Sequence, residues 1–251
     1  MNPANMHEFS TNYGTVRSGP PDELFAEAAR IATTAWRGAP SGRFSWALTG
    51  GSTPKSWYKW CTERRALAAA LMQETDWYVS DERYAPLASD QSNFGTADRL
   101  LLTPSGVPVE RKHPWAVHLA PQAAAQDFAR LTQRPAGRCK AFELCFLGLG
   151  EDAHTASLFP GGALLADDGD ALFAAIEVPG KGQRLTITPT GLRNCGCIVV
   201  MATGAAKAEA VRRVFQGGES IAAVPAKVLA TCAARVVWLL DPAAAAGMSA
   251  R

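Results

Sequence analysis

The 251-residue sequence has no apolar run long enough to cross a bilayer and no block of Lys or Arg residues. A membrane-spanning helix needs about 20 consecutive apolar residues, and a nucleic-acid-binding surface usually shows clustered basic side chains. Residues 1–13 also lack the basic and apolar segments of a secretory signal. We therefore expect a cytoplasmic protein that binds neither nucleic acid nor a membrane.

The sequence also lacks the cysteine spacing of a zinc site, although it contains six cysteines. Cys195 and Cys197 flank a single glycine, as in half of a metal or redox pair, but no second ligand pair follows at zinc spacing. Other cysteines lie within apolar runs, where a buried thiol packs as a small hydrophobic side chain. The sequence therefore predicts free thiols and no metal site.

Short apolar runs alternate with Ala-rich stretches of helical periodicity. The predicted strands are Phe44 to Leu48, Trp77 to Val79, Phe142 to Leu147, Ile198 to Ala202 and Val236 to Leu240. The predicted helices lie near 22–37, 54–73, 93–102, 121–133, 205–216 and 226–234. Parallel strands need crossover helices, which cover both faces of the sheet. We therefore predict an α/β fold, a three-layer α/β/α sandwich with a mostly parallel, Rossmann-like sheet.

The segment 161–192 interrupts this alternation with glycine, aspartate and proline. Its alternating stretch from Arg184 to Thr188 predicts an edge strand or a small additional lobe. The composition, 47% hydrophobic, is sufficient for one large core. We expect a single domain over residues 1–251, with its core at about 21–240 and with flexible ends at 1–15 and 242–251.

The strand exits carry the candidate chemistry, because ligands of open α/β sheets bind beyond the carboxyl ends of the strands. The first exit reads Gly50-Gly51-Ser52-Thr53-Pro54. We expect Thr53 to cap a helix that has Pro54 in its first position. Glycines let a ligand approach the backbone, and a helix N-terminus attracts anions. This exit predicts a phosphate site, although an ordinary capped turn would have the same sequence.

The second exit, Ser80-Asp81-Glu82-Arg83, places three charged residues directly after a predicted buried strand. Arg83 is suited to bind an anion or a developing oxyanion. Asp81 is suited to orient a sugar hydroxyl or to accept a proton. The alternative is a solvated loop with an internal ion pair.

The third and fourth exits supply a histidine and a lysine. His154 is one of four histidines and follows Asp152 by two residues in a glycine-rich loop. An imidazole suits a general base near neutral pH, although a lone histidine is often structural.

Lys207 follows Gly204 at the start of a predicted helix, where its charge opposes the helix dipole unless an anion binds. An exposed lysine without a function is the alternative.

The four exits together resemble the 6-phosphogluconolactonase family in order and spacing, over about Pro21 to Leu240. The residues that carry the resemblance are the glycine turn at 50–54, Ser80 to Arg83 with Ser92-Asn93, the loop 148–161 and Gly204-x-x-Lys207-Ala208. The loop 148–161 contains Gly-x-Gly-x-Asp-x-His-x-Ala-Ser-Leu-Phe-Pro-Gly, a pattern that is highly specific to that family. Glucosamine-6-phosphate deaminases are similar to it in fold and in the layout of the site.

The resemblance implies cofactor-independent hydrolysis of a small-molecule phosphorylated sugar lactone, 6-phosphogluconolactone, in the pentose phosphate pathway. It implies that His154 is the catalytic base and that Arg83, Lys207 and the turn contact the substrate. Asp81 matches the base of the deaminases. We add Asp152 as a candidate that orients the imidazole. The candidate site is then completed by the substrate-binding residues Gly50, Gly51, Ser52, Thr53, Lys207, Arg184 and Asn93.

One residue departs from the family pattern, because Ala153 precedes the histidine where a glycine is usual. If this position has a positive φ, alanine strains the turn by about 1 kcal/mol. We expect a monomer or a weak dimer.

Three rival interpretations remain. A deaminase would need a further acid after the histidine, and the segment 155–160 contains none. Gly148-x-Gly150-x-x-Ala153, with Asp170 about twenty residues later, formally fits a dinucleotide-binding pattern, but Pro160-Gly161-Gly162 would end its helix early. A sugar-phosphate-binding module without catalysis is the third possibility.

Overall fold

The computed structural model describes residues 6–39, 44–132, 141–166 and 169–248. These residues form a seven-stranded sheet in the order β1-β2-β10-β9-β6-β3-β4 and a small three-stranded sheet in the order β5-β8-β7. The strands are β1 (His7–Thr11), β2 (Gly14–Ser18), β3 (Phe44–Leu48), β4 (Thr75–Val79), β5 (Asp81–Arg83), β6 (Leu144–Gly148), β7 (Phe173–Val178), β8 (Gly182–Ile187), β9 (Cys197–Ala202) and β10 (Val236–Leu240). Within the large sheet β1 and β2 are antiparallel and the other neighbours are parallel. The predicted α/β class and the small additional lobe are confirmed.

The helices largely follow the predicted periodicity. They are α1 (Pro21–Gly38), α2 (Ser52–Arg64), α3 (Ala69–Glu74), α4 (Asn93–Ala97), α5 (Pro121–Leu131), α6 (Pro189–Arg193), α7 (Ala208–Phe215) and α8 (Pro242–Ala245). The single helix predicted at 54–73 is wrong, because Arg65 adopts a left-handed conformation that ends α2. The segment predicted as a helix at 226–234 is a 3-10 stretch over Pro225–Arg235 with a break at Cys232.

Strand β3 contributes all five of its residues to the buried core. Trp46 lies in the middle of β3 and stacks on Trp77 of β4, with ring centroids 5.0 Å apart. Its ring also meets Phe146 of β6 edge-on at 4.9 Å. Burying a large apolar side chain stabilises the fold by about 2 to 3 kcal/mol, so this cluster holds three neighbouring strands, β6, β3 and β4, in a fixed relation.

The predicted core limits of 21–240 are too narrow. Strands β1 and β2 form a hairpin, and Val16 of β2 is fully buried beside β10. Ala244 of α8 is also fully buried. The hairpin escapes sequence analysis because β1 exposes most of its residues and has no apolar face. Residues 1–5 and 249–251, part of the ends expected to be flexible, lie outside the described residues.

The small sheet stands directly at the exit of β4. One residue, Ser80, separates β4 from β5, and β5 pairs with β8 in the antiparallel register Asp81↔Thr186 and Arg83↔Arg184. The exits of β3, β6 and β9 come from adjacent strands of the large sheet. The four candidate segments therefore meet at one edge. Within the described ranges, no helix has the length and apolar character that a membrane crossing requires.

Candidate active site

The four strand exits enclose one open cavity of about 190 Å³. Of the predicted site residues, all except Asp152 and Arg184 line it. The lining residues are Thr49, Gly50, Gly51, Ser52, Thr53, Pro54, Asp81, Arg83, Asn93, Gly148, Leu149, Gly150, His154, Ala156, Met201 and Lys207. Segments that begin at Thr49 and end at Lys207 thus share one site, as the exits of neighbouring strands should.

The imidazole of His154 is held by Asp152. The distance between Nδ1 of His154 and Oδ1 of Asp152 is 2.5 Å, and the same oxygen accepts a hydrogen bond from the backbone N–H of His154 at 3.1 Å. Phe159 packs against the ring, with centroids 4.4 Å apart. A carboxylate on Nδ1 favours the tautomer with the proton on that nitrogen, which leaves Nε2 able to accept a proton.

The charge of Asp152 persists at neutral pH. Burial by itself would raise the pKa of its carboxyl, but the hydrogen bonds and the charge of His154 outweigh burial and lower the pKa below its ordinary value. The group is therefore a carboxylate at neutral pH, and it can stabilise an imidazolium.

The loop that carries His154 depends on a glycine and on a strained alanine. The N–H of Gly150 donates to the carbonyl of His154 at 2.8 Å, and the N–H of Ala153 donates to the carbonyl of Gly150 at 3.0 Å. Ala153 is fully buried and has a φ of 64°. The backbone at this position is therefore left-handed, as expected where the family usually has glycine, although the residue here is alanine. An L-residue in this region costs about 1 kcal/mol. The turn accepts that cost and keeps His154 at the cavity.

Asp81 is buried at the cavity wall and has a partner that sequence analysis missed. The hydroxyl of Ser157 donates to Oδ2 of Asp81 at 2.8 Å. The side-chain amide of Asn93 donates to the carbonyl of Asp81 at 2.9 Å and lies 3.4 Å from Oδ1. Ser157 stands in the loop 148–161, but its pairing with a residue 76 positions away has no local sequence signal. These contacts fix Asp81 while Oδ1 keeps long, weak contacts and stays available for a ligand.

Glu82 has a structural role. Its carboxylate is fully buried and accepts hydrogen bonds from the hydroxyl of Ser92 and from the backbone N–H groups of Arg83, Asn93 and Phe94, at 2.7 to 2.9 Å. Burial raises its pKa, and these hydrogen bonds offset only part of that effect. Glu82 therefore joins β5 to the N-terminus of α4, and it does not line the cavity.

The start of helix α2 differs from its prediction. Helix α2 begins at Ser52 with Gly51 in the N-cap position, so Thr53 is not the cap and Pro54 is the third helical residue. The Thr53 hydroxyl instead accepts a hydrogen bond from the backbone N–H of Thr203 at 3.2 Å, because the exit of β9 lies beside it. Gly51 has a φ of 112°, which favours glycine. Ser52 and Thr53 of the first turn of α2 line the cavity, and a helix leaves the backbone N–H groups of its first residues without an intrahelical partner; Pro54 has no N–H.

Three cations surround the cavity. Arg83 and Lys207 line it, and Arg184 stands opposite Arg83 in the β5–β8 ladder. Within the described ranges none of the three forms an ion pair with a carboxylate. Burial, together with the charge of Arg83, lowers the pKa of Arg184. Like charges opposite one another in a ladder are unfavourable, so a bound anion would relieve this arrangement.

The dinucleotide and metal interpretations find no support in the described residues. Between Gly150 and α6 the only helical segment of the described chain is a 3-10 turn at Ala163–Ala166, whereas the nucleotide fold needs a long helix after its glycines. In the same residues no group of three His, Cys, Asp or Glu side chains is placed to hold a metal ion. Five cysteines are free thiols, and Cys139 lies outside the described residues.

Known proteins resemble this chain over most of its length. A family model for glucosamine-6-phosphate isomerases/6-phosphogluconolactonase matches residues 20–238. A 6-phosphogluconolactonase of Synechocystis is 33% identical over 81% of this chain and 84% of its own length. That of Rattus norvegicus is 32% identical over 90% of both chains.

A solved structure shows the same fold. The 6-phosphogluconolactonase from Trypanosoma brucei superposes with a TM-score of 0.79 at 26% identity, and the match covers 97% of this chain and 100% of that one. The two-sheet architecture is therefore shared along almost the whole chain.

Proposed function

Since this chain belongs to the glucosamine-6-phosphate isomerase/6-phosphogluconolactonase family, we propose that it hydrolyses 6-phospho-D-glucono-1,5-lactone to 6-phosphogluconate. The observation that carries the proposal is the His154–Asp152 pair at a cavity whose rim also offers Arg83, Lys207 and the glycine turn. The site thus combines one base with groups that bind an anion. Hydrolysis of a phosphorylated lactone needs both.

Binding is assigned to the cationic rim. The 6-phosphate docks against the first turn of α2, where free N–H groups and the helix dipole favour an anion. Lys207 neutralises part of its charge, and Arg184 approaches from the small sheet. Docking the phosphate converts binding energy into orientation of the lactone carbonyl near His154. Asp81 accepts a hydrogen bond from a sugar hydroxyl.

The chemical step is assigned to His154. Its Nε2 removes a proton from a water molecule, and the oxygen of that water attacks C1 of the lactone. Arg83 stabilises the negative charge that develops on the carbonyl oxygen. As the ring C–O bond breaks, the imidazolium returns its proton to the departing ring oxygen. Asp152 holds the tautomer of the imidazole and stabilises its charged form.

The lactonase proposal is favoured over the deaminase by the residues around the histidine. The segment after it, 155–160, brings no carboxylate to the cavity. Asp81 is present, but its Oδ2 is occupied by Ser157. A carboxylate that is held in this way suits the orientation of a hydroxyl better than the transfer of a proton from carbon.

The test is a coupled assay with freshly generated 6-phosphogluconolactone, in which the formation of 6-phosphogluconate is corrected for spontaneous ring opening. We expect an enzyme-dependent rate that is proportional to protein concentration. Release of ammonia from glucosamine 6-phosphate, with no acceleration of lactone hydrolysis, would contradict the proposal. Tight binding of 6-phosphogluconate without turnover would instead identify a binding module.

Location and assembly remain predictions. The cytoplasmic location is a prediction that fractionation of cells tests. The monomer or weak dimer is tested by sedimentation over a range of protein concentrations.

A further inference from the structure

Lys207 owes its position to the backbone turn that carries it. It is the last residue of a 3-10 turn, Ala205–Lys207, that follows β9. Its side chain has no hydrogen bond or ion pair with another described residue. The turn itself is closed by the hydrogen bond from the N–H of Lys207 to the carbonyl of Gly204, at 3.0 Å. The direction of the lysine at the cavity therefore depends on how Gly204 is held.

Gly204 is held by the carboxylate of Asp241. The N–H of Gly204 donates to both carboxylate oxygens, at 2.9 and 3.0 Å. Oδ1 of Asp241 also accepts from the N–H of Ala244 at 2.8 Å and so caps α8. Asp241 is 8% exposed and does not line the cavity. One buried carboxylate thus joins the exit of β9 to the exit of β10.

The residue before Gly204, Thr203, is hydrogen-bonded to Thr53 of the glycine turn. The N–H of Thr203 donates to the hydroxyl of Thr53 at 3.2 Å, and the two hydroxyl oxygens are 2.9 Å apart. Gly204 follows with a φ of 95°, in a region that L side chains rarely adopt. Two consecutive residues are therefore fixed from opposite sides, Thr203 by α2 and Gly204 by Asp241.

We propose that Asp241 is a positioning residue for substrate binding, which aims Lys207 at the phosphate without touching the substrate. This inference rests on the proposed function, because it assumes that Lys207 binds the phosphate. When Asp241 is removed, the N–H of Gly204 loses its acceptor and the turn can drift. A misplaced lysine weakens ground-state binding and leaves the acid–base pair at His154 unchanged.

The test compares Asp241→Ala with Thr188→Ala. Thr188 is a close match, because it is a buried N-cap followed by proline, and it caps α6 through the N–H of Gly191 at 3.0 Å. Both variants lose a helix cap, which costs about 1 kcal/mol of stability. We expect Asp241→Ala to raise KM, and the inhibition constant of inorganic phosphate, by about fivefold or more with kcat within about twofold. Thr188→Ala should leave both constants unchanged.

A double-mutant cycle with Lys207→Ala makes the test specific. If Asp241 acts through the lysine, Asp241→Ala adds little to the rise in KM once Lys207 is already alanine. If the rises in KM caused by Asp241→Ala and Lys207→Ala multiply in the double variant, the two residues act independently and the inference is overturned. An unchanged KM in Asp241→Ala would also overturn it. If Lys207→Ala itself leaves KM unchanged, Lys207 does not bind the phosphate and the inference about Asp241 is overturned. Lactone hydrolysis is tested separately, by the coupled assay.

A milder variant covers the case in which Asp241→Ala does not fold. In Asp241→Asn the amide oxygen in place of Oδ1 can still cap α8 and accept from the N–H of Gly204, but the NH2 group that replaces Oδ2 cannot accept from that N–H. We expect a folded protein with a smaller rise in KM and in the phosphate inhibition constant. A folded Asp241→Asn protein with both constants unchanged would overturn the inference.

Discussion

The imidazole of His154 occupies the space that a side chain at Gly150 would need. A Cβ built on Gly150 would overlap Nδ1 of His154 and would lie 2.6 Å from Oδ1 of Asp152. The glycine is therefore required by the geometry of the candidate base, even though its own backbone conformation is ordinary.

Gly150→Ala should displace the imidazole and separate it from Asp152. We expect kcat to fall by about tenfold or more, because small misplacements of a catalytic group are costly. Gly218→Ala is the control, since a Cβ there meets nothing within 4 Å. Steady-state kinetics of both variants, with circular dichroism to verify folding, check the prediction. Normal kcat in Gly150→Ala would show that the position of the ring is not critical.

His154→Ala should lower kcat by about a hundredfold or more and leave KM nearly unchanged, because the step it removes is proton transfer. The exposed His118, which lies outside the cavity, provides the control variant His118→Ala. A His154→Ala protein with near-normal kcat would remove the residue from the role of base.

Asp152→Asn should lower kcat by about tenfold to a hundredfold, less than the loss of the base itself. The amide cannot provide the charge that stabilises an imidazolium, although it can still accept a hydrogen bond from Nδ1. The loss should appear in kcat with KM nearly unchanged, because the carboxylate supports the acid–base step and not substrate binding. A normal kcat in Asp152→Asn would remove the carboxylate from this role.

Arg184→Gln should raise KM by about fivefold or more with a smaller change in kcat, because the residue is assigned to ground-state binding of the phosphate. The wild-type KM should also increase with ionic strength, as salt screens the cationic rim. Arg37→Gln, at the end of α1 and away from the cavity, removes an equal charge as the control. Equal effects of the two variants would mean that only net charge matters.

Asp76 should contribute stability that is lost in acid. Burial would raise the pKa of this carboxyl, but hydrogen bonds from His113 and Arg111 outweigh burial and lower the pKa. A folded-state pKa below the unfolded value stabilises the protein above the unfolded pKa, and this contribution disappears as the pH falls through the folded pKa.

The variant Asp76→Asn isolates this contribution. Its free energy of unfolding should be about 1 kcal/mol below that of the wild type at neutral pH, and the difference should shrink below about pH 4. Urea unfolding at several pH values measures it. Asp90→Asn, which removes the fully exposed partner of Arg99, should leave the free energy of unfolding nearly unchanged. A difference that is independent of pH would contradict the assignment.

The parts of the fold that sequence analysis predicted are those with a strong local signal. The buried strands β9 and β10 are continuous apolar runs, and β3 is apolar except for Ser45; such runs are typical of parallel strands covered on both faces. Strand β5 could not be recognised in the same way, because its three residues, Asp81 to Arg83, are all charged. It is a strand because β8 supplies its hydrogen-bond partners, and that pairing is a long-range property.

In the candidate site, too, the residues with a local sequence signal were predicted and those that depend on long-range contacts were missed. His154, Lys207 and the glycine turn were identified because each follows an apolar strand, so their position along the chain already indicated the sheet edge. Ser157 and Asp241 were missed because their partners, Asp81 and Gly204, are 76 and 37 residues away. Contacts of this kind depend on how the exits of different strands meet, which local periodicity does not encode.

The N-terminal hairpin has a practical consequence for recombinant expression. Strand β2 covers the edge of β10, and the indole N–H of Trp238 donates to the carbonyl of Tyr13 at 2.8 Å. A fragment trimmed to the family-matched segment 20–238 would retain every residue that lines the cavity. It would nevertheless leave β10 with unpaired backbone groups, a template for intermolecular strand pairing and aggregation. Expression boundaries should therefore be drawn before His7 and beyond Ala245.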